Sequence, residues 1–204
     1  MGRSLVTRII LIRHGAVDAV GTAYGQRVDP ALSDHGRVEV SRLRERTELD
    51  GSAIVVRSPA LRTSQSSELL DLVPDEVDAR WAERDLGAWE GRLWKDVWTD
   101  VPKDVQVDPT AFAAFTPPDG EPLTDLRSRV TDALEGLGRE HSREDPAAHP
   151  PVVVICHGGP IRCAVAHVLG LDDVTMLRLR VATATSTSMT RWPDGSWTLE
   201  GLGA

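Results

Sequence analysis

The chain has 204 residues, of which 41% are hydrophobic and 26% charged, and its formal net charge is -8. This profile is typical of one globular domain, over residues 1–204, and excludes a fibrous, disordered or membrane-spanning chain. The negative charge argues against a nucleic acid or a membrane as partner, because both require a basic face. Two cysteines, Cys156 and Cys163, are too few for a disulfide framework, so we expect a cytoplasmic protein with both thiols in its core.

Three short apolar runs lack the alternation of half-buried strands and therefore indicate strands that are buried on both faces of a sheet. They cover residues 7–12, 53–57 and 152–156. A turn signal and then a helical pattern follow each run, at residues 36–48, 60–72 and 159–169. This alternation predicts an α/β fold, a three-layer α/β/α sandwich with a mostly parallel central sheet.

Later segments complete this scheme. Between positions 121 and 140, apolar residues recur at the three-and-four spacing of one helix face and predict a long helix. A proline-rich loop at residues 146–151 separates that helix from the third strand. Two β-rich stretches flank Pro193-Asp194-Gly195 and predict a hairpin that closes the sheet.

Residues 92–120 show neither the apolar run of a buried strand nor the regular spacing of a helix. They combine Trp94, Trp98 and two phenylalanines with prolines and aspartates, and their helical periodicity is patchy. Because long irregular segments are usually functional or disordered, we expect an insertion that caps one end of the sheet. Trp94 and Trp98 would share a face of a helix, where they either pack in the core or line the mouth of the site with Trp89.

Polar side chains follow each of the three buried strands. The strands end in Arg13-His14-Gly15, Arg57-Ser58-Pro59 and His157-Gly158-Gly159, and Arg62 lies just inside the helix after the second strand. Ligands of open α/β sheets bind at the carboxyl ends of the strands. The sequence therefore predicts a crevice at this edge, into which two histidines and at least two arginines project.

Five segments, in chain order, carry a specific resemblance: "LIRHG", "SPALRTSQS", "AERDLGAWEG", "PPDGEP" and "VICHGGPIR". Together they resemble the histidine phosphatase superfamily, also called the phosphoglycerate mutase-like family, and look most similar to its alpha-ribazole and broad-specificity phosphatase branch. The resemblance implies a metal-independent phosphomonoesterase that needs no cofactor and hydrolyses a small organic phosphate. In agreement, no Asp/His set with metal-ligand spacing surrounds the motifs.

The same resemblance assigns roles to individual residues. It implies that His14 is the nucleophile and becomes phosphorylated, and that Arg13, Arg62 and His157 bind the phosphoryl oxygens. A neutral imidazole can attack phosphorus and form a covalent intermediate. Guanidinium groups match the geometry of phosphoryl oxygens and offset the charge that develops on them. Gly158, at a helix N-terminus, could add backbone N–H groups to the anion site or serve packing alone.

The proton donor to the leaving group has three candidates in one motif, Glu83, Asp85 and Glu90. The family pattern places the acid four residues before the first glycine, here Gly87, and so selects Glu83. A general acid must hold its proton until the leaving group departs, which a neighbouring phosphate dianion favours.

The chain departs from the family just after the nucleophile. Many members carry Glu-Thr after Arg-His-Gly and, six residues past the histidine, an asparagine that helps to bind phosphate; here Ala16, Val17 and Val20 stand there. Another donor must take the place of the asparagine. The candidates are Tyr24, Gln26 and Arg27.

Two other functions stay open. A mutase of the same family would return the phosphoryl group to another hydroxyl, but mutases carry longer insertions than this chain. A non-catalytic phospholigand-binding module would have lost the nucleophile or the acid, and both are present. The sequence also leaves open a homodimer, and it favours structural roles for the remaining histidines, His35, His141, His149 and His167.

Overall fold

The computed structural model describes residues 6–46, 53–142 and 150–204. Within these ranges the strands are β1 Thr7–Arg13, β2 Ile54–Arg57, β3 Glu76–Val77, β4 Val152–Cys156, β5 Ser186–Arg191 and β6 Trp197–Leu202. They form one sheet in the order β3-β2-β4-β1-β5-β6. Strands β3, β2, β4 and β1 run parallel to one another, whereas β5 pairs antiparallel with β1 and β6 pairs antiparallel with β5.

Helices cover both faces of the sheet. They are α1 Asp34–Arg46, α2 Leu61–Leu69, α3 Trp94–Asp100, α4 Lys103–Val107, α5 Pro109–Ala114, α6 Leu123–Glu140, α7 Gly158–Leu169 and α8 Asp173–Leu177. Because successive side chains of a strand point to opposite faces, β1 serves two cores. Ile9 and Leu11 pack in a cluster with α6 and α7, and Ile10 and Ile12 pack in a second cluster with α1. The predicted three-layer α/β fold is confirmed.

Most predicted elements are present, with small shifts at their ends. The long helix begins at Leu123, and its apolar stripe is buried as its period requires. The hairpin forms between β5 and β6, with Gly195 at a φ of +86° in its turn. Helix α1 begins two residues before the prediction, and the predicted positions 47 and 48 lie outside the described residues, as do 146–149 of the predicted loop. The short elements β3 and α8 were not predicted.

Residues 92–120, expected as an irregular insertion, contain the short helices α3, α4 and α5. Trp89, just before them, is buried and stacks on Phe115, with ring centroids 5.8 Å apart. Trp94 contacts the edge of Trp89 at 6.2 Å and Trp98 packs against Phe112 at 5.2 Å, although both tryptophans are 42% exposed. Core packing therefore accounts for Trp89, and the other two keep a free aromatic face. Among the described helices, none is both long and apolar enough to cross a membrane.

Candidate active site

The ends of β1, β2 and β4 bring two histidines and a serine together. Arg13 is level with Cys156 and Arg57 with Ile155 in the parallel registers, so the residues that follow these strands are neighbours. The His14 and His157 rings lie 5.1 Å apart at an interplanar angle of 65°. Ser58 Oγ and His157 Nε2 form a hydrogen bond of 2.7 Å.

The His14 ring is held in one tautomer. Its Nδ1 lies 2.7 Å from the carbonyl oxygen of Gly15. A carbonyl can only accept, so Nδ1 carries the hydrogen and Nε2 of the neutral ring keeps its lone pair. Burial, and then the charges of Arg62 and Arg13, lower the pKa of His14 to about 3. Near neutral pH the ring is therefore an uncharged nucleophile.

Gly15 lets the loop behind His14 pack closely on α1. A Cβ at this position would lie 2.5 Å from the carbonyl oxygen of Gly36, which is closer than atoms tolerate. The Gly15 amide also donates to Ser66 Oγ of α2 at 3.2 Å. A glycine here thus anchors the turn that presents the histidine.

A buried arginine, Arg62, and a half-buried one, Arg13, lie near this turn. Arg62 is 1% exposed and donates from Nη1 to Asp29 Oδ1 at 3.0 Å and from Nη2 to the Gly25 carbonyl at 2.9 Å. Arg13 donates from Nη1 to the Val181 carbonyl at 2.5 Å. Burial lowers the pKa of both guanidinium groups, while the charge of Glu83 opposes that shift. Both side chains are thus held by other protein groups through their terminal nitrogens.

Three other polar atoms at the site are buried and lack a partner among the described residues: the donors Arg13 Nε and Arg62 Nε, and His157 Nδ1, which donates when Ser58 Oγ donates to Nε2. Leaving a buried donor unpaired costs about 1–3 kcal/mol, so native proteins seldom keep several in one place. Burial, followed by the charge of Arg62, lowers the pKa of His157 well below its usual value. Arg13, Arg62 and His157 together form a group of side chains that can bind an anion, which we call the cradle.

Glu83 is the acidic group beside His157. Its Oε2 accepts from the Gly159 amide at 3.1 Å and its Oε1 from the Arg84 amide at 2.9 Å. A Cβ at residue 159 would lie 2.0 Å from Oε1, so only glycine admits this approach. Glu83 and His157 line the same cleft.

The rival carboxylates have other contacts. Glu90 accepts hydrogen bonds of 2.7 to 2.9 Å from the backbone amides of residues 26, 27 and 28. Asp85 accepts from Arg27 Nε at 3.3 Å and from the Gly87 amide at 2.8 Å. Both carboxylates thus stabilise loops, which agrees with the choice of Glu83.

The three candidates for the missing phosphate donor differ in their contacts. Gln26 lines the cleft, where its Nε2 donates to the Glu83 carbonyl at 2.8 Å. The Tyr24 hydroxyl donates to the Asp18 carbonyl at 3.3 Å. Arg27 pairs with Asp85, with Nε 3.1 Å from Oδ1. Gln26 is thus the candidate that the fold brings to the cleft.

The cleft measures about 150 Å³. Its walls are formed by Gly25, Gln26, Asp29, Ser58, Pro59, Ala60, Arg62, Ala82, Glu83 and His157. Gly158, Arg13 and His14 are not among its lining residues. Asp29, which holds Arg62, was not found from the sequence because no local pattern marks a carboxylate that bonds across 33 residues. In the described ranges, no three or more His, Cys, Asp or Glu residues gather as metal ligands.

Comparison with known proteins identifies close matches over most of the chain. The sequence model of the Histidine phosphatase superfamily (branch 1) matches residues 9–204. A metal-independent phosphoserine phosphatase of Arabidopsis thaliana is 25% identical, over 95% of this chain and 82% of that protein. The structure of a mycobacterial glucosyl-3-phosphoglycerate phosphatase complexed with VO3 is 25% identical, with a TM-score of 0.82 over 97% of this chain and 99% of that one. An alpha-ribazole phosphatase from Shigella flexneri, 20% identical, shares the fold with a TM-score of 0.81 over 97% and 96% of the two chains.

Proposed function

Because the chain belongs to branch 1 of the histidine phosphatase superfamily, we propose that it is a phosphomonoesterase that hydrolyses a small organic phosphate through a phosphohistidine at His14. One observation carries the proposal: a neutral histidine with a free Nε2 lies beside buried arginine donors at the ends of the parallel strands. A ring in this state can attack an electrophile that the cradle holds.

In the first step, His14 Nε2 forms a bond to phosphorus, and the bond from phosphorus to the ester oxygen breaks. The leaving oxygen takes that electron pair and the proton of the Glu83 carboxyl group. In the second step, water gives a proton back to Glu83 and attacks phosphorus. The P–N bond breaks, its electron pair returns to Nε2, and inorganic phosphate leaves.

The cradle stabilises charge during both steps. Arg13, Arg62 and His157 bind the equatorial oxygens, where negative charge accumulates in the transition state. Their donors are preorganised, because Asp29 and backbone carbonyls already hold the guanidinium groups. Gln26 supplies the contact that an asparagine makes in many relatives, and the backbone N–H of Gly158 at the start of α7 adds to the anion site.

The names of the relatives suggest where to look for the substrate. One is a phosphoserine phosphatase and another a glucosyl-3-phosphoglycerate phosphatase, so phosphate esters of small hydroxyl compounds are the first to assay. A mutase activity would show as isomer formation without release of phosphate. The single domain with a cap at residues 92–120, the cytoplasmic location and a homodimer stay predictions.

A trapping experiment tests the chemistry. The wild-type protein is incubated with a labelled phosphate ester and quenched rapidly, and we expect an acid-labile, base-stable adduct that His14→Ala lacks. Turnover of His14→Ala should fall by about 10⁴-fold or more, and a chelator should leave wild-type turnover intact. Near-normal turnover of His14→Ala, or an adduct elsewhere, would refute the mechanism.

A further inference from the structure

The "PPDGEP" motif and Arg129 of α6 meet at the loop that carries Glu83. Arg129 Nη1 donates to the carbonyls of Arg80 and Ala82, both at 2.7 Å, and Nη2 donates to the carbonyl of Glu83 at 3.0 Å. The side chain of Arg129 is 19% exposed. One guanidinium group thus binds three carbonyls within the four residues that end at Glu83.

Glu121, from the motif, completes the arrangement. Its carboxylate accepts from Arg129 Nε at 2.7 Å and from Nη2 at 2.9 Å, a two-point ion pair. The same carboxylate accepts from the Asp85 amide at 3.2 Å, and the Glu121 amide donates to the Asp85 carbonyl at 2.8 Å. The pair therefore holds the loop from both sides of Glu83.

We propose that the Glu121–Arg129 pair is a positioning device for the proton donor. The Glu83 carboxylate accepts from two backbone amides, so its placement depends on the path of its own backbone. Proton transfer requires a separation of about 2.6–3.2 Å, and small displacements reduce the rate steeply. The hydrogen bonds of Arg129 go to Glu121 and to the loop that ends at Glu83, although its charge is also one of those that lower the pKa of His157. This inference rests on the proposed function.

Removal of the pair should therefore affect substrates unequally. An alkyl phosphate has a poor leaving group that needs the proton of Glu83, whereas p-nitrophenyl phosphate has an activated one. In Arg129→Gln we expect kcat for the alkyl ester to fall about 10–100-fold, with little change for the aryl ester. Simple loss of stability would lower turnover of both esters and leave their ratio unchanged.

A neighbouring residue provides the matched control. Arg127 lies on the same helix and is 28% exposed, and it pairs with Asp173 of α8 and with the Leu171 carbonyl. Arg127→Gln removes an equivalent ion pair without contact to the Glu83 loop. We expect its ratio of alkyl to aryl turnover to equal that of the wild type. Thermal unfolding tests whether each variant is folded. If Arg129→Gln is not folded, Arg129→Lys and Glu121→Gln replace it in the same assays.

A double-variant cycle decides whether the effect passes through Glu83. In a Glu83→Gln background, Arg129→Gln should have no further effect on the alkyl-to-aryl ratio. For Arg129→Gln in the wild-type background, an equal loss on both esters or an unchanged alkyl-to-aryl ratio would overturn the positioning role. A further fall of the ratio when Arg129→Gln is added to Glu83→Gln would also overturn it. Absence of any hydrolysis or adduct in the wild type would refute the proposed function instead, so the two failures are distinguishable.

Discussion

Two clusters of histidine, arginine and glutamate lie at opposite edges of the same sheet. One is the cleft lined by Arg62, Glu83 and His157, with the His14 ring beside that of His157. The other, the Glu135 cluster, consists of Glu135, His167, Arg191 and Trp197. Glu135 Oε1 accepts from His167 Nε2 at 2.9 Å and from Trp197 Nε1 at 2.8 Å, and Oε2 accepts from Arg191 Nε at 3.2 Å. Burial opposes ionisation of Glu135, but these donors together lower its pKa.

The two clusters share residue types and differ in how their donors are used. Arg191 is opposite Thr7 in the register, at the start of β1, whereas His14 follows the end of that strand. The donors in the Glu135 cluster meet a carboxylate, while Arg62 Nε and His157 Nδ1 in the cleft have no partner in the described part of the chain. Residue type alone therefore does not mark a site; the cleft region differs in that several unpartnered buried polar atoms gather there.

The largest expected difference in activity is between variants of Glu83, in the cleft, and Glu135, in the Glu135 cluster. Glu83→Gln keeps the shape but removes the transferable proton, so hydrolysis of alkyl phosphates should fall about 10²–10⁴-fold and that of an activated aryl phosphate less. Glu135→Gln should lower the free energy of unfolding by about 1–3 kcal/mol and preserve kcat/KM. Steady-state kinetics and urea denaturation of both variants measure this. Equal losses on both esters in Glu83→Gln would move the acid role to Asp85 or elsewhere.

Inorganic phosphate should stabilise the protein through the cleft and not through the Glu135 cluster. At one hundred times its dissociation constant, a ligand of the native state adds about 2.7 kcal/mol to the unfolding free energy. We expect Arg62→Met to abolish the phosphate-dependent rise in Tm and Arg191→Met to retain it. A persistent rise in Arg62→Met would place the anion site elsewhere.

Acid should destabilise the native state through the buried histidines. The pKa of His14 falls from 6.5 to about 3 on folding, so between these values the unfolded chain binds the additional proton. The free energy of unfolding should thus decrease as pH falls through this window, by about 2 kcal/mol for His14 between pH 7 and 5. His157 shifts in the same direction. In urea titrations at several pH values, the unfolding free energy of His157→Asn should depend less steeply on pH than that of the wild type. An equal pH dependence in the two proteins would contradict a depressed pKa for His157.

The smallest expected effect separates two equally exposed tryptophans. Trp94, at the start of α3, and Trp192, at the end of the sheet near the Glu135 cluster, are both 42% exposed. If the free face of Trp94 contacts the leaving group, Trp94→Ala should raise KM for aromatic esters about fivefold, corresponding to about 1 kcal/mol of aromatic contact, and less for small esters. Trp192→Ala should leave KM unchanged. Equal KM values for Trp94→Ala and the wild type would limit Trp94 to packing against Trp89.

The sequence predicts those parts of this molecule that follow from local periodicity. The strands around Ile10 and Val154 and the helix that begins at Leu123 have uniform apolar patterns, and the strand ends then bring His14 near His157 by topology alone. The strand Glu76–Val77 has two exposed residues and therefore no pattern to detect.

Contacts between residues that are far apart in the chain leave no recognisable pattern in the sequence. Arg129 reaches Glu83 across 46 residues, and Asp29 reaches Arg62 across 33. His167 was assigned a structural role without its partner Glu135, which lies 32 residues away. Such pairs depend on how helices dock, which periodicity does not encode.

The central place of β1 has a consequence for deuterium exchange. This strand pairs with β4 on one side and β5 on the other, and the backbone amide of His14 donates to the Cys156 carbonyl at 3.1 Å. Amides in such a position exchange with solvent only when the whole cooperative unit opens, whereas short surface helices exchange through local fraying. We therefore expect the His14 amide to exchange more slowly than the exposed amides of the short helices α3 to α5.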